Sequence, residues 1–305
     1  MRVHFHVLAS GSAGNACLLD ADGFGVLIDF GLPPKLLLPR LRKARLSWHR
    51  IDAVVLTHTH TDHWKPATLT QFAKLGVPIY CHAEHMHAMD QGRRSFAALS
   101  AAGLMRGYQS GQPIELHAHC RCIPIAVDHD EPMTHGFRFD GTSRGREWSV
   151  AYASDLGCWQ PSLARHFADV DLLALEFNHD VPMQLRSGRH PMLIRRVLGK
   201  GGHLSNEQAA ALLEEIVAGS TPGRLRHLVQ LHLSDDCNHA ELAATAAMDV
   251  IERAGIDIEI HTTARGRSGP SISLAPIPVR THVQPMLPFA DSLPSPSGRG
   301  AGGEG

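Results

Sequence analysis

Short apolar runs recur along this chain, and several end in clusters of imidazole and carboxylate side chains. Val3 to Leu8 alternates as a strand does and leads into Ser10-Gly11-Ser12-Ala13-Gly14-Asn15, a turn of small residues. Ala16 to Asp20 and Gly25 to Asp29 read as a hairpin around Ala21-Asp22-Gly23, and Ala53 to Leu56 as a buried strand. Apolar positions at helical spacing predict helices over Pro33 to Leu41 and Ala67 to Leu75. Val77 to Cys81 is a strand, and a short helix after it carries His82, His85 and His87, read as structural. Residues 93–112 are poorly patterned and read as a surface helix and loop. Four strands are expected next: Gln112 to His119, Arg121 to Val127, Gly136 to Asp140 and Trp148 to Ala153, the last two joined at Gly141-Thr142-Ser143.

From Pro161 helices and strands alternate. Leu163 to Ala168 is helical, and Asp171 to Leu175 is a buried strand. Ser205-Asn206-Glu207-Gln208 is a capping box that opens a helix to about Ala218, and Asn238-His239-Ala240-Glu241 a second that opens a helix to Ala254. Leu228 to Leu231 and Ile256 to Ile260 are the remaining strands. The pattern stops near Ser268, and the Pro/Ser/Gly-rich end has too few apolar residues for a core. Residues 1–267 are therefore expected as one α/β domain and 268–305 as a disordered tail. Strands with few helices, then strands alternating with helices, point to an α/β sandwich rather than a barrel.

Composition narrows the class. At 305 residues and 43% hydrophobic, the chain can bury a substantial core. No apolar stretch approaches the ~20 residues that cross a bilayer, and the start is too short and polar for a signal peptide. The expectation is a cytoplasmic protein without a membrane partner. The six cysteines form neither a disulfide framework nor a Cys-x-x-Cys pair, and Cys120 and Cys122 fit thiols alternating in a strand. A net charge of −1 gives no global attraction to a polyanion. A local one exists: Val181 through Asn206 contains no acidic residue and holds Arg186, Arg189, Arg195, Arg196 and Lys200.

The densest chemistry follows the Ala53 to Leu56 run. Thr57-His58-Thr59-His60-Thr61-Asp62-His63 offers three imidazoles and a carboxylate within six residues, donors suited to a borderline cation such as zinc. Four such groups exceed what one catalytic ion with an open position needs, which suggests two metals. Other strands end alike, in Asp128-His129-Asp130, Ser154-Asp155-Leu156-Gly157, Glu176-Phe177-Asn178-His179-Asp180 and His232-Leu233-Ser234. Asp29, ending a strand, is placed either to brace a metal-bound imidazole or to cap its loop.

His58-x-His60-x-Asp62-His63, followed by His129, Asp155 and His232 in that order, resembles the metallo-β-lactamase fold over roughly residues 3 to 262. Leu8 to Asn15, Glu176 to Asp180, Gly202-His203-Leu204-Ser205-Asn206-Glu207 and His232 to Asn238 are similar to the bacterial YycJ/WalJ group, regarded as nuclease-like with exonuclease activity on DNA. The resemblance implies a four-layer αββα sandwich with a dinuclear site at one edge. By position, His58, His60 and His129 would hold one ion, Asp62, His63 and His232 the other, and Asp155 would bridge. His135 competes with His129, which is preferred because it follows its strand directly. Zinc suits these ligands, and manganese is compatible with them.

Two ions sharing a carboxylate lower the pKa of a bridging water and clamp both sides of an in-line displacement. The expected function is a metal-dependent phosphodiesterase acting on nucleic acid, most readily a DNA exonuclease using a metal-activated hydroxide. Asp62 would orient the water and accept its proton. His203, matched to a substrate-side acid in the related ribonuclease Z loop, would protonate the leaving alkoxide. His179, Ser205, Asn206, Arg189 and Arg195 are expected substrate contacts. The rival reading is an acyl hydrolase cleaving a thioester or lactone on the same site, which leaves His203 and the basic stretch idle. A diiron redox enzyme of this fold would carry a carboxylate at position 60, where this chain has His60.

Overall fold

The apolar runs resolve into two seven-stranded sheets in the computed structural model, which describes residues 2–264 and 268–274. The first sheet is built from β1 (Val3–Ala9), β2 (Ala16–Ala21), β3 (Phe24–Ile28), β4 (Ala53–Val55), β5 (Ile79–His82) and β6 (Met105–Tyr108), side by side in that order. The second is built from β7 (Ile114–His117), β8 (Cys120–Ala126), β9 (His135–Ser143), β10 (Arg146–Ala153), β11 (Leu172–Glu176), β12 (His227–Leu231) and β13 (Glu259–Thr262), again neighbour to neighbour. β14 (Ser271–Ser273) then returns to the first sheet and pairs antiparallel with β1.

Strand period decides which side chains meet between the sheets. Val3, Phe5 and Val7 of β1 face Phe137, Phe139, Trp148, Val150 and Tyr152 of β9 and β10 in one buried cluster. Burying such a side chain contributes roughly 1.5–3 kcal/mol. β11 is buried on both faces, with Leu172 and Ala174 inward and Leu173 and Leu175 outward, as its unbroken apolar run required. α1 (Pro34–Lys43), α2 (Pro66–Leu75), α3 (Ala83–Asp90) and α4 (Arg94–Ala101) cover the outer face of the first sheet. Of α5 (Pro161–Phe167), α6 (Val181–Arg186), α7 (Pro191–Leu198), α8 (Asn206–Ala218) and α9 (Ala240–Ala254), it is α5, α8 and α9 that cover the second. The layers are αββα, as expected. Among the described residues no helix is long and apolar enough to cross a membrane.

Four local expectations fail. Residues 93–112 hold α4 and also edge strand β6, hidden from periodicity because only Tyr108 of its four residues is buried. The β9–β10 turn lies at Arg144-Gly145, not at Gly141 to Ser143; both turn residues have positive φ (51° and 75°), which matches the twist of the flanking strands. Asn238 caps no helix, since the N-cap of α9 is His239. The fold also continues past residue 267: β14 pairs with β1 and Leu274 is buried, so 268–274 belong to the domain. The tail expected beyond them lies outside the described residues.

One glycine links this frame to the histidine-rich segment. The 62–63 turn is clamped by backbone bonds from Asn15 N to Asp62 O (2.7 Å) and Phe30 N to His63 O (2.8 Å). Gly31 lies flat beneath it, where a Cβ would stand 1.7 Å from the Asp62 carbonyl oxygen. Gly31→Ala must therefore push the turn off its seat, and urea unfolding should show a loss of about 1–3 kcal/mol.

Candidate metal centre

The chemically capable residues converge at one end of the two sheets because each follows a strand. His58, His60, Asp62 and His63 come from the segment after β4, His129 from the loop after β8, Asp155 from the end of β10 and His232 from the end of β12. Asp29, Asp155 and His232, each just past a strand end, take left-handed φ values of 60°, 61° and 56°. Non-glycine residues hold this conformation only where their surroundings over-determine it.

Asp29 is fully buried and makes three kinds of contact. Thr57 donates to it from its backbone N–H (2.8 Å) and its hydroxyl (2.9 and 3.0 Å), and His63 Nδ1 lies 2.7 Å from Oδ2. Asp29 thus braces an imidazole, the first of the two roles open from its position. The same hydroxyl meets His58 Nδ1 at 3.0 Å, and His129 Nδ1 donates to the Gly202 carbonyl at 2.9 Å. An imidazole that gives its Nδ1–H to the protein presents an Nε2 lone pair, the form in which histidine ligates a metal. Burial, then the neighbouring His63, push His58 well below its ordinary range and keep it neutral.

The donors fall into overlapping groups whose ligand atoms lie within 4.8 Å of one another: His58, His60 and His129; Asp62, His63 and His232; and His58, His63 and Asp155. All seven expected residues are brought together. Asp155 reaches both sides, with Oδ2 2.9 Å from His63 Nε2 and Oδ1 3.9 Å from His129 Nε2. The Nε2 atoms of His58, His129 and His232 are buried with no hydrogen-bond partner among the described residues. Such orphaned atoms are costly, and divalent metal held by the groups they belong to would satisfy them, so the donor sets fit such binding. His135 is elsewhere: its Nε2 meets Ser110 Oγ at 2.7 Å and its ring stacks on His82.

A second buried carboxylate, Glu176 at the end of β11, is the residue sequence reasoning left out of the site. Its Oε1 lies 2.8 Å from His203 Nδ1 and 2.9 Å from His232 Nδ1, while Oε2 accepts from the Leu156 and Leu204 backbone N–H groups. Burial alone would raise this carboxyl, but the charge and hydrogen bond of His203, then His232, pull it down to about 2. In return His203 is raised against the opposing effect of burial, chiefly by Glu176. His203 stands 5.3 and 5.1 Å, ring to ring, from His129 and His232 and is partly exposed. The signals for Glu176 were its place after an apolar run and the likeness of the Glu176 to Asp180 segment to the YycJ/WalJ group.

Two of the expected substrate contacts have other work, and a third is buried. Ser205 caps α8 in a capping box with Gln208 and is buried. Asn206 is buried in a reciprocal amide pair with Asn238, both bonds 2.9 Å, which also explains why Asn238 caps nothing. His179 is fully buried, so no substrate reaches it in this conformation. The basic residues sit on the α6–α7 arm. Arg189 pairs with Asp236 at 2.7 Å, and Arg195 is exposed with no partner among the described residues. Arg196 binds Asp130, whose other oxygen lies 3.1 Å from His129 Nε2 and 3.6 Å from His60 Nε2, so the arm is tied to the centre's rim.

With this geometry in view, similarity to known proteins is informative. The Beta-lactamase superfamily domain matches residues 25–222. The chain belongs to that superfamily and has the metallo-β-lactamase fold. It is 30% identical over 274 residues to exodeoxyribonuclease YycJ of Bacillus anthracis, covering 86% of this chain and 96% of that protein. Among solved structures, the metallo-β-lactamase fold protein YhfI of Bacillus subtilis superposes with a TM-score of 0.60 at 19% identity, covering 88% of this chain and 98% of that one. Zn(2+)-bound PqqB of Methylobacterium extorquens does so with a TM-score of 0.61 at 16% identity, covering 88% and 99%. The family and the donor clusters make this protein a metal-dependent hydrolase.

Asp29→Asn keeps the shape of the bracing group but weakens its hold on His63. Metal affinity should fall about 10–100-fold in competition with a chromophoric chelator while circular dichroism stays unchanged.

Proposed function

We propose that the protein is a metal-dependent phosphodiesterase acting on nucleic acid, a DNA exonuclease with a dinuclear site. The observation that carries this reading is His203, locked to the buried Glu176 carboxylate at 2.8 Å beside the donor cluster. The 30% identity to an exodeoxyribonuclease over most of both chains supports the substrate. In this reading His58, His60 and His129 hold one ion, Asp62, His63 and His232 hold the other, and Asp155 serves both. Zinc suits so histidine-rich a set, and manganese is compatible with it. Bound there, divalent ions supply Lewis acidity: they acidify water and neutralise charge building on a phosphodiester.

The chain's own groups do the rest. Asp62 is only partly buried, and its Oδ2 lies 3.7 Å from both His63 Nε2 and His232 Nε2, which suits it to orient a water and accept its proton. Glu176, bonded to Nδ1, stabilises the protonated imidazole of His203, which delivers its Nε2 proton to the departing alkoxide. Arg195 and Arg189 on the α6–α7 arm supply phosphate contacts that position a strand without reading its sequence.

An acyl hydrolase is the second reading, and it leaves this apparatus without a task in thioester cleavage. A thiolate, with a thiol pKa near ~8.5, departs unaided, whereas an alkoxide needs a donor. His203→Ala should lower kcat on bis-p-nitrophenyl phosphate less than on end-labelled DNA. The aryl leaving group is the better one, and the loss on DNA should reach about 10²–10⁴-fold. An equal loss on both would remove His203 as the acid. For the activity as a whole, the metal-loaded protein should degrade end-labelled DNA, stop on chelation and restart when zinc or manganese is returned. Hydrolysis of only a lactone or a glutathione thioester would reverse the assignment in favour of the acyl hydrolase.

A further inference from the structure

A second group of metal-type donors lies at the other end of β12. His227 opens that strand, and Glu259 and His261 stand on its neighbour β13, the edge of the second sheet. The parallel register sets His227 against Glu259 and Val229 against His261. Residues two apart share a face, so all three side chains point to the same side of the sheet. His227 and His232 are five residues apart along β12, which at the rise of a strand separates this group from the centre described above by about 16 Å.

The three residues each turn a donor atom to one point, close to the spacing of a coordination sphere, with the two oxygens of Glu259 facing one imidazole each. His227 Nδ1 lies 3.4 Å from Glu259 Oε2 and 3.5 Å from His261 Nε2, and His261 Nε2 lies 3.7 Å from Glu259 Oε1. Tetrahedral ligation at zinc bond lengths of about 2.0–2.2 Å puts neighbouring donor atoms about 3.3–3.6 Å apart. Glu259 is largely exposed and His261 partly so, which leaves a way in for an ion and room for water as a fourth ligand. His227 is buried, and its other nitrogen, Nε2, has no hydrogen-bond partner among the described residues. Among the described residues, no other side chain or backbone group bonds that ring. An imidazole packed for its apolar faces alone would not be expected to aim Nδ1 at a carboxylate and a second imidazole.

We propose that His227, Glu259 and His261 form a second, structural divalent-cation site, of the zinc class, that fastens edge strand β13 to β12. Two imidazoles and a carboxylate prefer zinc to calcium or magnesium, which take oxygen ligands. The place makes physical sense of the clamp. β13 is four residues long and pairs on one side only, and after it the chain leaves the second sheet to add β14 to the first. A bond between β12 and β13 holds the strand where the crossing begins.

Zinc content after reconstitution and desalting of the full chain tests this directly. His261→Ala and Glu259→Gln should each retain one equivalent less zinc than the wild type, with unchanged hydrolysis of bis-p-nitrophenyl phosphate, because neither residue approaches the catalytic centre. Added zinc should raise the melting temperature of the chelator-stripped wild type by more than that of either variant. Zinc content equal to wild type in both folded variants would overturn the site. Should His261→Ala fail to fold, Glu259→Gln, at an exposed position, decides alone by the same measure.

Discussion

The structure depends on two buried carboxylates, one at the end of a strand in each sheet, and on the cost of leaving a buried charge unpaired. Asp29 follows β3 and Glu176 ends β11, and both are fully buried. An ionised carboxylate in such surroundings persists only when hydrogen-bond donors surround it. Asp29 takes its donors from Thr57 and His63, and Glu176 takes them from two backbone N–H groups and from His203 and His232. Each thereby fixes the Nδ1 side of an imidazole and turns its Nε2 toward the centre. The backbone carbonyl of Gly202 and the hydroxyl of Thr57 do the same for His129 and His58.

That division explains why the centre exists only in the assembled sandwich. The first sheet brings His58, His60, Asp62 and His63; the second brings His129, Asp155 and His232. The inter-sheet core of Phe5, Phe137, Trp148 and Tyr152 holds the two halves in register. Close approach of the loops also needs missing side chains, as at Gly31 beneath Asp62. The left-handed residues at three of the strand ends are strain that this packing sustains.

The α6–α7 arm is joined to the centre by the ion pair from Arg196 to Asp130 and by the bond from the His203 backbone N–H to the Val197 carbonyl (3.0 Å). Asp130 in turn lies against His129 and His60. Charge on the arm is therefore coupled to the rim of the centre rather than being only a wetted face. The arm also exposes Leu185 and Met192 beside its arginines, so its surface is both apolar and basic.

The sequence by itself determined the α/β class and the strand-end position of the polar clusters. Strand period, helical spacing and a polar cluster after each buried run are local properties, and they gave an α/β sandwich with polar residues at strand ends. The four layers and the set His58, His60, Asp62, His63, His129, Asp155 and His232 were what the resemblance to the metallo-β-lactamase fold implied. Where the local pattern was weak it misled: β6 buries one residue in four, and β14 is three residues in a stretch that reads as tail. Only the tertiary structure decided between His129 and His135, gave Glu176 its two imidazoles and paired Asn206 with Asn238. It alone made a cluster of His227, Glu259 and His261. Those outcomes rest on contacts between residues tens of positions apart, set by sheet register and buried-charge pairing. No periodicity within a single segment records them.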